Sequence, residues 1–185
     1  MAQALHAARA ELELHLSDLR QIFNSMDPAP FRERDLDPKA TDYIVDWAGE
    51  LPAGTPLALN VQLASTAGAD SATVGDAVRD YFKRRAVAKR RELSRLFRIG
   101  RISLVIGLAF LAVAIVVGDA LASVISQEGY AWLLRESLVI GGWVALWRPL
   151  EIFLYDWWPL RGQAQLYDRL GAMQVSLRGA VPVVA

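Results

Sequence analysis

The chain of 185 residues contains no cysteine and only two histidines, His6 and His15. Without cysteine there is no disulfide scaffold, no thiol catalysis and no Cys-based zinc or iron–sulfur site. Two histidines exclude most histidine-dependent metal and acid/base constellations. Also missing are a phosphate-cradling glycine loop, a nucleophile elbow and a dinucleotide-binding fingerprint. The pair Gly141-Gly142 lies inside an apolar run and cannot do that work. Positive charge is scarce at first and then concentrated. Residues 1–80 carry 13 acids against 6 bases, residues 81–101 carry 9 bases against 1 acid, and residues 102–185 carry 6 acids against 5 bases. The length suits one or two compact units. An acidic head, a basic collar and an apolar tail describe a chain that sits on a membrane.

Ile102 to Gly118 is a run of 17 residues without a charge, continued after Asp119 by Ala120–Ile125. A bilayer core of about 30 Å needs roughly 20 helical residues, so the run predicts a first spanning helix over 102–126. It is apolar on every side, unlike an amphipathic helix of a soluble core. The polar residues preceding it distinguish it from a signal peptide. A second span is predicted over 130–154, interrupted by Arg135, Glu136, Arg148 and Glu151. Tyr130 and Trp132 flank its start, and Tyr155, Trp157 and Trp158 its end, as in an aromatic belt. A re-entrant or interfacial helix is the alternative for this segment. Basic residues precede the first span and follow the second (Arg161, Arg169, Arg178), and the connection at Gln127–Gly129 has none. The expected placement is therefore a multi-pass protein of a bacterial inner membrane, with both termini cytoplasmic.

Outside the spans, Leu12, Leu14 and Leu16 alternate with Glu11, Glu13 and His15, which predicts a half-buried strand with His15 solvated. Asp37-Pro38 reads as an N-cap and first-turn proline opening an amphipathic helix over Pro38–Leu51. Leu57, Leu59, Val61 and Leu63 alternate with Ala58, Asn60 and Gln62 in a second strand, and Ser65–Ser71 is a predicted loop. From about Ser71 one helix should run into the first span, with Gly100 as a bend. After the second span, Pro159 should open a short helix ending at Gly171, followed by a third strand at Met173–Arg178. The expected divisions are a strand–helix–strand region at 1–70, a basic juxtamembrane helix at 71–101, the two spans, and a helix–strand tail at 159–185. The fold class is a transmembrane α-helical hairpin with a small cytoplasmic α/β domain completed by the C-terminal strand. Strands with unpaired edges invite pairing with another subunit.

Four kinds of candidate site follow. Asp27, Asp35 and Asp37 lie in the loop Asn24–Asp37 and could hold Mg²⁺ or Ca²⁺. Arg32 and Arg34 compete for the same carboxylates, so a loop held by caps and Arg–Asp pairs is the simpler reading. Within the spans, Asp119 can pair with Arg135, and Arg148 with Glu151 at helical spacing. Arg84, Arg91, Arg95, Arg98 and Arg101 are the expected contacts to anionic lipid headgroups, each worth about 1 kcal/mol near the surface. The acidic head would repel nucleic acid. Small residues at Ala114, Gly118 and Ala122, and at Gly141 and Ala145, should close the hairpin or join subunits. No catalytic residue and no cofactor is expected.

The stretches Asn24–Asp37 (NSMDPAPFRERDLD) and Leu146–Pro159 (LWRPLEIFLYDWWP) together resemble an uncharacterised family of bacterial membrane proteins. The likeness runs from the first strand to about Leu177. It implies an inner-membrane protein with a cytoplasmic domain, and no catalytic residues come with it. The leading expectation is a self-associating, non-enzymatic scaffold acting on lipid or on a protein partner at the cytoplasmic face. A small channel or transporter subunit using Asp119, Arg135, Arg148 and Glu151 is the second. A membrane-bound enzyme with a cation at Asp27, Asp35 and Asp37 is the third.

Overall fold

The computed structural model describes residues 9–30, 33–63, 71–124 and 128–179. His6, Arg32, residues 65–70 of the expected loop, residues 125–126 of the expected first span and Gln127 of the expected connection lie outside the described residues. The chain divides into two compact units, residues 1–89 with 162–185, and residues 90–161.

The first unit is built on three parallel strands: β1 (Ala10–Leu16), β2 (Leu57–Leu63) and β3 (Gln174–Gly179), in the order β1-β2-β3. Between β1 and β2 runs α1 (Pro38–Glu50), the crossover that a parallel pair requires. Leu12, Leu59 and Val175 stand level across the sheet, as do Leu14, Val61 and Leu177. These rows pack with Ile22, Phe23, Ile44, Val78 and Phe82 into one core. Because β2 is central, both of its faces are covered. Ala58 and Asn60, on the face that alternation marks as polar, are only 6% and 5% exposed. Asn60 meets this burial with two hydrogen bonds: its amide donates to Glu11 Oε2 at 2.9 Å, and Ser176 Oγ donates to Asn60 Oδ1 at 2.5 Å. A buried amide without such partners would cost about 1–3 kcal/mol.

Asp37 caps α1, its Oδ1 accepting from the amides of Lys39 at 2.9 Å and Ala40 at 3.3 Å. Pro38 stands in the first turn, where a missing N–H costs nothing. The helix stops at Glu50, since Leu51 before Pro52 takes an extended conformation. At the following turn Gly54 adopts a φ of 94°, and Arg169 donates to the carbonyls of Pro52 and Thr55, both at 3.2 Å.

From Ser71 to Val124 the chain is one helix, α2, with no interruption at Gly100. The second long helical stretch comprises α3 (Glu128–Glu151), a π-helical segment (Ile152–Asp156) and α4 (Trp157–Gly171). Pro159 therefore does not open a new helix. It lies in the first turn of α4, where proline is tolerated, and the π segment carries the chain past the point where a break is expected from sequence. Both stretches are long and apolar enough to cross a membrane, with 17% and 22% of their most apolar windows buried.

Within the second unit, α2 and α3 pack antiparallel along a seam of small residues. Gly107 lies against Ala145 and Leu146, Gly142 against Leu111, and Gly118 against Arg135. A methyl at Gly142 would come within 2.5 Å of Leu111 Cδ1 and 3.1 Å of its Cα, so the helix backbones are in near contact there. Gly141, expected to supply this stripe, has nothing within 4 Å of a Cβ position. Its direction one residue away, about 100° around the helix, turns it off the seam. Pro149 explains a second detail. Lacking an N–H, it leaves the Ala145 carbonyl without an intrahelical donor, and that oxygen lies 3.1 Å from where a Gly107 Cβ would stand. A Cα–H of glycine is the group that can approach such a carbonyl.

Candidate functional site

The basic stretch of α2 separates into two parts. Arg84 Nη2 donates to the Glu33 carbonyl at 3.0 Å and lies 3.5 Å from Asp35 Oδ1. Arg85 donates twice to the Tyr81 hydroxyl, at 3.0 and 2.8 Å, with its guanidinium 5.2 Å from the centre of that ring. Burial, the largest single effect, works against the charged form of Arg85, but the Tyr81 hydroxyl together with Tyr167 and Asp35 outweighs it and holds the guanidinium above its ordinary range. Tyr81 is buried and also accepts from Thr41 Oγ1 at 3.3 Å. Arg84 and Arg85 thus fasten α2 to the rest of the first unit.

Arg91, Arg95, Arg98 and Arg101 are exposed and recur every three or four residues, which places them along one side of α2. Ile102 and the apolar run follow directly. Beside this row is an aromatic group. Phe97 stacks on Phe153 at 6.2 Å, Trp157 lies 6.3 Å from Phe97, and Trp158 meets Trp157 edge-on at 5.6 Å. Arg161 stands over the Trp157 ring at 5.6 Å. Guanidinium groups in a row bind phosphate bidentately, and indole and phenyl rings tolerate both apolar and wet surroundings. The recurrence of arginine is legible in the sequence, whereas the meeting of Phe97 with Phe153 joins residues from opposite arms of the hairpin.

Asp119 and Arg135, and Arg148 with Glu151, pair within the apolar helices. Arg135 Nε donates to Asp119 Oδ1 at 2.6 Å, with the two side chains 46% and 57% exposed. Arg148 Nη1 lies 3.2 Å from both Glu151 Oε2 and Asp156 Oδ2, and Trp147 Nε1 donates to Glu151 Oε1 at 2.8 Å. Asp156 is not a candidate by sequence spacing. The π segment supplies it, since a turn closed by i→i+5 bonds stacks Asp156 on Glu151 and brings both carboxylates to one arginine.

The three loop carboxylates do separate structural work. Asp27 accepts from the amides of Ala29 at 2.9 Å and Asp35 at 2.7 Å. These bonds, the one from Asp35 first, hold its carboxyl below the ordinary value of 3.8. Asp35 faces Arg84, and Asp37 caps α1. Phe23 and Leu36, bridged to one another and buried, clamp the base of the loop. Among the described residues no three His, Asp or Glu side chains gather to hold a metal ion. The chain matches no protein-family model, no curated protein and no solved structure.

Proposed function

We propose that the protein is an integral inner-membrane hairpin that self-associates and organises membrane lipid or a protein partner from the cytoplasmic side, without enzymatic activity. The observation that carries this reading is the second unit: two antiparallel apolar helices bury only a narrow seam and leave Val105, Ile106, Phe110, Val113, Val116, Trp143 and Val144 outward. A water-soluble chain rarely exposes a continuous apolar surface beyond a few hundred Å². Lipid is the solvent that accepts it. The arginines from Arg91 to Arg101 at one end of the apolar run favour anionic headgroups there and, with Arg161, Arg169 and Arg178, a cytoplasmic location for both termini.

Depth supports anchoring over conduction. Asp119 lies 18 residues beyond Arg101, about 27 Å along a helix, against a hydrocarbon core of about 30 Å. The Asp119–Arg135 pair then stands near the outer boundary, and the cluster of Arg148, Glu151 and Asp156 near the inner one. Charges so placed reach headgroups and pair with each other, which reduces the cost of carrying them. Self-association is favoured by β1 and β3, the outer strands among the described residues, each with an edge to which a further strand can add. Flotation with vesicles and sizing in detergent over a range of protein concentrations test the two halves of the proposal. The expected results are co-migration with lipid and a species larger than a monomer. A chain that stays dissolved without surfactant would remove the membrane reading, and monomer at every concentration would remove the scaffold.

A further inference from the structure

Among the described residues β1 is an outer strand, and its side chains sort cleanly by face. Glu11, Glu13 and His15 are exposed on one face. On the other, Leu12 is buried, whereas Leu14 and Leu16 stay half-buried against the core. The acids occupy the first half of the strand, and His15 and the following Ser17 its end. Such an order is complementary to itself when reversed. A two-fold axis normal to the sheet sets two β1 strands antiparallel, edge to edge, with leucine opposite leucine and polar residue opposite polar. Centred on Leu12, it puts Glu11 opposite Glu13 of the second copy, twice. Centred on Glu13, it brings the two Glu13 carboxylates together. Like charges directly opposite each other are destabilising. Centred on His15, it sets the two imidazoles against each other and pairs only Leu14–Leu16. Centred on Leu14, it places Glu13 opposite His15 of the second copy on both sides of the axis, with Leu14 on Leu14 and Leu12 on Leu16. Glu11 then meets Ser17. β3 lacks this complementarity: its polar row of Gln174, Ser176 and Arg178 holds no acid to meet Arg178, and Gln174 already accepts from Arg9.

We infer that β1 is the surface through which two copies of this chain associate, joined antiparallel about Leu14. The inference rests on the self-association proposed above and names its contact. The two three-stranded sheets become one, in the order β3-β2-β1-β1-β2-β3. Outward amides and carbonyls of β1 pair across the axis. Each Glu13 carboxylate accepts from the His15 imidazole of the second copy. Leu14 and Leu16, half-buried in one copy, are covered as the two cores meet. The contact closes on itself because a two-fold uses the same edge of both copies. A head-to-tail contact of β1 on β3 would instead leave an edge free at each end and continue into a filament.

The chain has no cysteine, so single cysteines placed in the full protein report this contact directly. After mild oxidation in detergent, Leu14→Cys should cross-link to itself. It lies on the axis, where opposite Cα atoms stand about 4.5–5.5 Å apart, and a disulfide needs less than about 7 Å. Leu12→Cys, and Ser176→Cys on β3, should give no cross-link. Glu13→Cys co-expressed with His15→Cys should join the two chains, although each alone should not. This exposed pair leaves the core intact and so serves even if Leu14→Cys folds poorly. His15→Glu sets carboxylate against carboxylate on both sides of the axis and should weaken the dimer about tenfold, read from sizing over a range of concentrations. Glu13→Lys/His15→Glu restores opposite charges and should return the dimer to within about threefold of the wild type. Cross-linking of Ser176→Cys or Leu12→Cys as strong as that of Leu14→Cys would overturn the contact, as would a loss in His15→Glu that the double variant does not recover. An oligomer that none of these cysteines cross-links would overturn it while leaving self-association in place. Monomer at every concentration would remove both.

Discussion

Gly141 and Gly142 are adjacent in sequence and opposite in environment, which makes them a sharp test of the helix pair. Gly142→Ala places a methyl 2.5 Å from Leu111 Cδ1 and 3.1 Å from Leu111 Cα. A Leu side chain can rotate away from the first clash, but the second is with backbone, so α2 and α3 must move apart. Overpacking of this kind costs about 1–3 kcal/mol. Gly141→Ala meets nothing within 4 Å. It should gain up to about 1 kcal/mol, because alanine loses less backbone entropy than glycine in a helix. The two variants, isomers of one composition, should therefore differ by about 1–4 kcal/mol, the sum of these effects. Unfolding of the full chain in mixed micelles by increasing sodium dodecyl sulfate measures this, with the indoles of Trp143 and Trp147 as reporters. Equal midpoints for the two variants, or a lower midpoint for Gly141→Ala, would refute the seam.

Other outcomes follow from single contacts. Asp37→Ala removes the acceptor for two amides at the start of α1 and should destabilise the first unit by about 1 kcal/mol, read from thermal melting. Phe82→Ala empties a fully buried position and should cost about 3–5 kcal/mol by the same measurement. The carboxyl of Asp27 titrates below its ordinary value, so its contribution is complete above pH 3.8 and is lost as the pH falls through its folded value. Hydrogen exchange at the Ala29 and Asp35 amides should accelerate over that acidic window in the wild type and show no such acidic transition in Asp27→Asn. A double-mutant cycle on Asp119 and Arg135 should return a coupling of about 0–1 kcal/mol, as expected for a half-exposed pair. A coupling of several kcal/mol would instead mean that the pair is buried by something outside this chain.

Much of the architecture is legible residue by residue because it depends on near neighbours. Alternating leucines mark β1 and β2, since side chains of a strand point to opposite faces. Asp37-Pro38 marks the start of α1 because its cap and proline act within three residues. The two apolar runs announce helices long enough to cross a membrane because the length of a run and the pitch of a helix are both local quantities. The exposed arginines from Arg91 to Arg101 are readable for the same reason.

Tertiary structure decided what local spacing leaves open. The central position of β2 buries Asn60, which alternation alone would leave on a wet face, and it does so by bringing up Ser176, 116 residues away. Packing between α2 and α3 chose Gly107 and Gly142 for the seam and passed over Gly141, because one residue of rotation decides which side of a helix meets its neighbour. Arg84 leaves the basic row for Glu33 and Asp35, partners presented by folding of the first unit. A π turn delivers Asp156 to Arg148, and the hairpin brings Phe153 onto Phe97. Patterns within a few residues are set by backbone geometry and solvent, whereas meetings between distant residues depend on which surfaces fit together.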